Sequence, residues 1–157
     1  MPARRLRSSP CTWPSVEQQL TSGKSPFNWP SHEQMKRQGI GNVELRVGDF
    51  EEVPIADAAV DLVFFSQSLH HAQHPERALQ EAHRILRAGG RVVILDLAKH
   101  RFEEAREMYA DEWLGFSEAE LEAMLEKAGF AQVQASVVDK ELETPQFQTL
   151  LAVGTKS

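Results

Sequence analysis

The chain has a single cysteine, Cys11, among 157 residues. One thiol closes no internal disulfide and builds no metal site by itself, so a disulfide-stapled secreted fold is excluded and a reducing, cytoplasmic compartment is expected. No apolar run approaches the ~20 residues that cross a bilayer, so no membrane partner is expected. No apolar segment follows Arg5 either, which argues against a secretory signal. The arginines and serines of "MPARRLRSSP" carry a faint organellar-targeting composition, but an unstructured extension is the plainer reading.

What is present is a chain that is 41% hydrophobic and long enough for one domain with a core. Its charge is uneven. Residues 1–40 hold six Lys and Arg against two Glu, a net of +4, so the remaining 117 residues carry −10 to give the overall −6. An acidic body argues against nucleic acid as a ligand. The same first 40 residues hold five of the eight prolines and no apolar run suited to a strand. Residues 1–30 therefore read as a poorly structured basic, proline-rich segment, and 31–157 as the folded domain, with a short helix around "SHEQMKRQG".

From residue 40 the chain alternates strand and helix patterns. "VELRV" (43–47) reads as a strand ended by Gly48 and Asp49. "VDLVFF" (60–65) has the continuous apolar character of a strand buried on both faces. Pro75 and Glu76 open a helix with the stripe Ala78, Leu79, Ala82, Ile85 and Leu86, which "AGG" at 88–90 stops. "RVVILDL" (91–97) follows as a second buried strand, giving a right-handed βαβ crossover with parallel strands. Phe102, Ala105, Met108, Tyr109 and Trp113 fall on one side of a helical region, and Tyr109, Trp113 and Phe116 read as core or, less simply, as an apolar substrate wall. Ser117 and Glu120 form a capping box for the clearest helix, "SEAELEAMLEKAGF". Two strands without a helix between them, 133–137 and 147–153, should pair antiparallel.

The chemistry-bearing residues lie at strand ends. After Phe65 comes the polar string Ser66, Gln67, Ser68, Leu69, His70 and His71, at the rim where open α/β sheets bind ligands. His70 or His71 could take a proton near neutral pH, or either ring could be structural. His70, His71 and His74 also invite a metal reading, but no acidic or cysteine ligand lies nearby in sequence, so no metal is expected. Asp96 either borders the pocket or is a solvated strand-end carboxylate.

In order, "NVELRVGDFEEVP", "VDLVFFSQSLHHAQHPERALQEAHRILRAGGRVVILDL" and "WLGFSEAELEAMLEKAGF" resemble the C-terminal two-thirds of a class I S-adenosylmethionine-dependent methyltransferase domain of the type 11 kind. "DEWLGFS" is similar to methyltransferase domains that follow an arsenic-repressor-type DNA-binding domain. The resemblance implies an α/β fold with a partial Rossmann-like sheet, parallel strands plus a C-terminal antiparallel pair, lacking the first two strands. It implies S-adenosylmethionine as cofactor and a small-molecule methyl acceptor. Asp49 would accept the adenine amino group and Phe50 would offer backbone to the ring, although an ordinary turn aspartate is the alternative for Asp49. Ser66, Gln67 and Ser68 would lie beneath the methionine part of the cofactor, and His70 or His71 would be the catalytic candidates.

The pattern also departs from the family. Before Asn42 the only glycines are Gly23, Gly39 and Gly41, with no apolar strand ahead of them, so neither the cofactor-holding glycine loop nor the ribose-binding acidic residue is seen. The chain thus reads as an N-terminally truncated or mis-started member with impaired activity. Two alternatives stand beside it. One is a non-catalytic subunit whose open sheet edges are covered by a partner chain or a second copy; the other is a nicotinamide-dependent reductase, against which the missing dinucleotide fingerprint counts.

Overall fold

The computed structural model describes residues 14–17, 37, 39, 41, 42, 44–142 and 146–157. Two compact units result, Met1–Asp49 and Phe50–Ser157. In the first unit, β1 (Pro14–Glu17) pairs in parallel with β2 (Glu44–Val47), from Pro14 opposite Glu44 to Glu17 opposite Val47. β2 is the strand expected at 43–47. β1 corrects the expectation that no strand precedes residue 40: four residues are too few for a periodicity to show, and proline is tolerated at the first strand position. Most of the expected helix at 31–39, and most of segment 1–30, lie outside the described residues.

The second unit holds a four-stranded sheet in the order β3-β4-β6-β5, built from β3 (Val60–Ser66), β4 (Leu86–Leu97), β5 (Phe130–Lys140) and β6 (Gln148–Lys156). β3 and β4 are parallel, with Phe65 opposite Ile94 and Ser66 opposite Leu95. β6 runs antiparallel to both β4 and β5, so the crossover and the C-terminal hairpin both form as the sequence predicts. One face of the sheet is closed: Val92, Ile94, Asp96, Leu150 and Ala152 are all buried. The other is half open. Phe64 is 46% exposed while Phe65 is buried, which corrects the reading of β3 as buried on both faces. β3 is an outer strand of this sheet, and its continuous apolar run says nothing about how many elements cover it.

Helix α1 (Pro75–Ile85) presents Ala78, Leu79, Ala82 and Ile85 to the core and meets the closed face where His83 packs edge-on against Phe130 at 5.1 Å. It ends earlier than "AGG" suggested, because Leu86 is already extended (φ −71°, ψ 142°) and starts β4. Lys156 accounts for the early stop. Its ammonium donates to the carbonyls of His83 and Leu86 at 2.7 and 2.8 Å, satisfying acceptors that a further turn would have used. Arg84 reaches the preceding loop, donating to the carbonyls of Val53 and Ile55 and to Asp57, while Glu81 receives both Arg84 and the Val53 N–H. This clamp orders a segment too polar to pack by itself.

The region after Lys99 is less helical than its stripe predicts. Only α2 (Ala105–Tyr109) forms, ending at Ala110 in the left-handed region (φ 60°), and of the stripe only Ala105 is buried. Met108, Tyr109 and Trp113 are exposed in whole or in part, so these side chains are not the core that their spacing suggested. The chain there is drawn out of helical register by contacts with the strand ends, described below.

Helix α3 (Glu118–Lys127) carries the expected capping box: Ser117 Oγ accepts from the Glu120 N–H and Glu120 Oε2 accepts from the Ser117 N–H. Lys99 Nζ binds the other Glu120 oxygen at 2.5 Å. Lys99 foremost, then the Ser117 donors, hold the Glu120 carboxyl down at about 2. A carboxylate depressed in the fold adds stability that is full above its ordinary value of 4.5 and is lost as pH falls through about 2. Glu120→Gln should therefore lower the thermal midpoint at pH 6, by an amount that shrinks with added salt. That deficit should close between about pH 4.5 and 2. A deficit independent of pH in melting curves would assign the effect to packing instead.

Candidate active site at the strand ends

β3 ends at Ser66, and the chain turns at once. Gln67 adopts the left-handed region (φ 49°), which costs a non-glycine residue about 1 kcal/mol or more, while its N–H still donates to Leu95 O at 2.7 Å. The ladder thus continues for one bond as the backbone reverses direction. A single 3₁₀ turn, Leu69–His71, follows. Ser66 is exposed, Gln67 and Ser68 are half-buried, and Leu69 and His70 are buried.

The turn is pinned by Asp96 of β4, which is fully buried on the closed sheet face. Its carboxylate accepts from Leu69 N at 2.8 Å, from Leu97 N at 2.7 Å and, at 2.5 Å, from His70 Nδ1. The reading of Asp96 as solvated is overturned; a carboxylate enters an apolar interior only when donors replace its water, and three do so here. An ionised carboxylate only accepts, so His70 carries a proton on Nδ1. Its Nε2 points the other way, 3.4 Å from Asp111 Oδ1.

Asp111 arrives from a loop forty residues on. Trp113 donates its N–H to His70 O and its indole Nε1–H to Ala72 O, both at 2.9 Å, and stacks on Phe116. Phe116 N bonds Leu97 O and Lys99 N bonds Phe116 O, extending β4's edge. Gly115 allows this approach: its φ is +73°, and a Cβ would stand 2.5 Å from Ala98 O. His71 lies beside His70, ring centroids 4.0 Å apart, with Nδ1 3.2 Å from Ala110 O and 3.6 Å from Asp111 Oδ1. Burial, then the neighbouring His70, pushes the His71 pKa below its usual value, which favours a neutral ring. Burial does the same to His100, which comes under the influence of Asp111 and His70.

The predicted site residues divide accordingly. Ser66, Gln67, Ser68, His70 and His71 form one continuous turn at the sheet rim. Phe50 opens the second unit and is buried; Asp49, exposed, closes the first. His74 is at the N-cap of α1, its N–H donating to Glu51, and is outside the His70–His71–Asp111 group. Sequence reasoning missed Asp111 altogether. The acidic neighbour it sought near the histidines comes from across the fold. Asp96→Ala would strand the Leu69 and Leu97 N–H groups and the His70 ring without their acceptor, and is expected to cost about 3–5 kcal/mol. Asp96→Asn, keeping one acceptor oxygen, should recover part of the loss in urea denaturation; equal stability for Asp96→Ala and wild type would refute this central role.

Residues 29–94 match the family described as a methyltransferase domain. The chain is 32% identical over 108 residues to an arsenite methyltransferase of Halobacterium salinarum, covering 65% of this chain and 28% of that protein. It is 34% identical over 110 residues to a malonyl-[acyl-carrier protein] O-methyltransferase of Dechloromonas aromatica, covering 66% and 42%. The chain therefore spans less than half the length of these relatives. In fold it is similar to a Thermotoga maritima S-adenosylmethionine-dependent methyltransferase, with a TM-score of 0.62 at 23% identity over 82% of this chain and 71% of that one. The βαβ crossover and the antiparallel C-terminal pair are thus similar in fold to those of S-adenosylmethionine-dependent methyltransferases, and residues 29–94 match the methyltransferase-domain family.

Proposed function

We propose that the chain transfers the sulfonium methyl group of S-adenosylmethionine to a nucleophilic O, N or C atom of a small molecule. In the transfer, the sulfur–methyl bond breaks as the bond to the nucleophile forms in line, S-adenosylhomocysteine leaves, and the acceptor gives up a proton. Asp49 and Phe50 hold the adenine, and Ser66, Gln67 and Ser68 face the methionine part. His70 and His71 border the acceptor, where a neutral imidazole can take its proton. The observation that carries this reading is the polar turn after β3, fixed by buried Asp96 at the carboxyl end of the adjacent parallel strand. Open α/β sheets bind their ligands at such a rim. Two relatives of nearly equal identity are named for arsenite and for malonyl-[acyl-carrier protein], so identity alone does not select the acceptor.

Within residues 1–157 no glycine-rich turn follows an apolar strand. Two or three hydrogen bonds to the cofactor's charged end would go unmade, at ~1.5–3 kcal/mol each, which weakens binding by about 10² to 10⁶. A second reading draws on β3. Among the described residues this strand pairs only with β4, and its exposed Phe64 suits a subunit that completes its sheet with another chain.

Calorimetric titration with S-adenosylmethionine and S-adenosylhomocysteine tests the first reading. Saturable binding is expected in about the micromolar to millimolar range, weakened roughly tenfold or more by Asp49→Ala. A folded, monodisperse sample that gives no binding heat would overturn it. Light scattering on the same sample tests the second: a stable complex with another chain supports the subunit reading, and a monomer that binds cofactor removes it.

A further inference from the structure

We propose that His70, His71 and Asp111 bind a divalent cation of the zinc class. One ligand atom from each lies within 4.8 Å of the others, with His70 Nε2 3.4 Å and His71 Nδ1 3.6 Å from the same Asp111 Oδ1. A charge-assisted N–H···O contact closes to ~2.7–2.9 Å; these pairs stand too far apart for that. Two ligands each about 2.0–2.2 Å from a tetrahedral cation are separated by ~3.3–3.6 Å. These two spacings to Asp111 therefore match atoms that share a metal better than atoms that share a proton, and the third pair, within 4.8 Å, needs only a small closing of the imidazoles.

Three independent features agree. Asp111 is buried, its side chain 2% exposed, and among the described residues its Oδ1 has no hydrogen-bond partner. A carboxylate oxygen in that condition is costly unless a cation neutralises it. His70 is held on the far side by Asp96, the carboxylate–histidine–metal arrangement that fixes the tautomer and turns Nε2 toward the cation. Both halves of the site are anchored together by Trp113, which bonds the carbonyls of His70 and Ala72. The ligand atoms are thereby positioned without the metal.

His71 is the most exposed of the three and marks the side open to solvent. Its Nδ1 would exchange the Ala110 carbonyl for the cation. His100 is close by but outside the ligand group: its Nδ1 accepts from Phe102 N, so its buried Nε2 carries the proton and cannot ligate. Two imidazoles and one carboxylate leave a fourth position free, as in catalytic rather than structural zinc sites. The site itself asks nothing of methyl transfer. Its use there rests on the function proposed above: an acceptor oxygen in the fourth position would be kept deprotonated by coordination, with the imidazole lone pairs serving the cation instead of taking the proton.

The test uses the tag-free full chain, stripped with chelator, checked for native circular dichroism and titrated with zinc chloride by calorimetry and with cobalt(II) by visible absorption. One equivalent should bind, with the intense d–d bands of a tetrahedral cobalt site. Asp111→Asn and His70→Gln should each weaken zinc at least ~100-fold and Asp96→Asn ~10–100-fold, whereas Glu112→Gln, on an exposed neighbour, should leave binding unchanged. Folded wild type with no saturable equivalent would sink the proposal, as would Asp111→Asn binding zinc like wild type. Cofactor titration in the absence of metal reads separately, so failure of the metal site and failure of the methyltransferase reading are distinguishable.

Discussion

The Asp96 carboxylate, taken out of water at the end of β4, is the constraint on which the rim depends. An ionised side chain there is tolerable only with donors in place, and all three are backbone or ring N–H groups of the elements that meet at this point. Satisfying it brings the 3₁₀ turn after β3 against β4 and orients the His70 ring. The strained Gln67 follows from the same demand, since the backbone must reverse within one residue to present Leu69 N and His70 together. Backbone strain at Gln67 and the buried charge of Asp96 meet at this locus, the combination found where a fold is shaped for something other than stability.

Much of the second unit could be read from its local pattern. The βαβ crossover announces itself through two apolar runs around an amphipathic helix with proline at its start, and the capping box of α3 needs only Ser117 and Glu120 three residues apart. What escaped reading had non-local causes. α1 stops early because Lys156, seventy residues on, takes its last carbonyls. Phe64 is exposed because of where β3 falls in the sheet order, which a single strand's composition does not encode. β1 is too short to show a period and forms through backbone pairing.

The site was half legible for the same reason. Ser66 to His71 stand out because polar residues interrupt an apolar strand at the end where ligands bind. Asp96 was visible as a strand-end acid, but whether such a residue faces water or the core is decided by the pleat and by what covers it. In β4 the side chains of Val92, Ile94 and Asp96 share the closed face, so the alternation that buries two aliphatic residues carries the acid in with them. Its partners then had to be built.

Asp111 shows the reach of this dependence. No spacing rule joins residue 111 to residues 70 and 71; the connection runs through backbone contacts. Gly115, where a Cβ would stand 2.5 Å from Ala98 O, lets the chain lie against Ala98, so that Phe116 can pair with the end of β4. From that anchorage Trp113 reaches back to the carbonyls of His70 and Ala72, and Asp111, two residues earlier, is set down beside the histidines. The segment that gives up its helical register to do this is the one whose apolar stripe promised a longer helix. Its departure from local preference is therefore what supplies the rim with its second carboxylate, and a polar turn at the end of one strand becomes a cluster drawn from three parts of the chain.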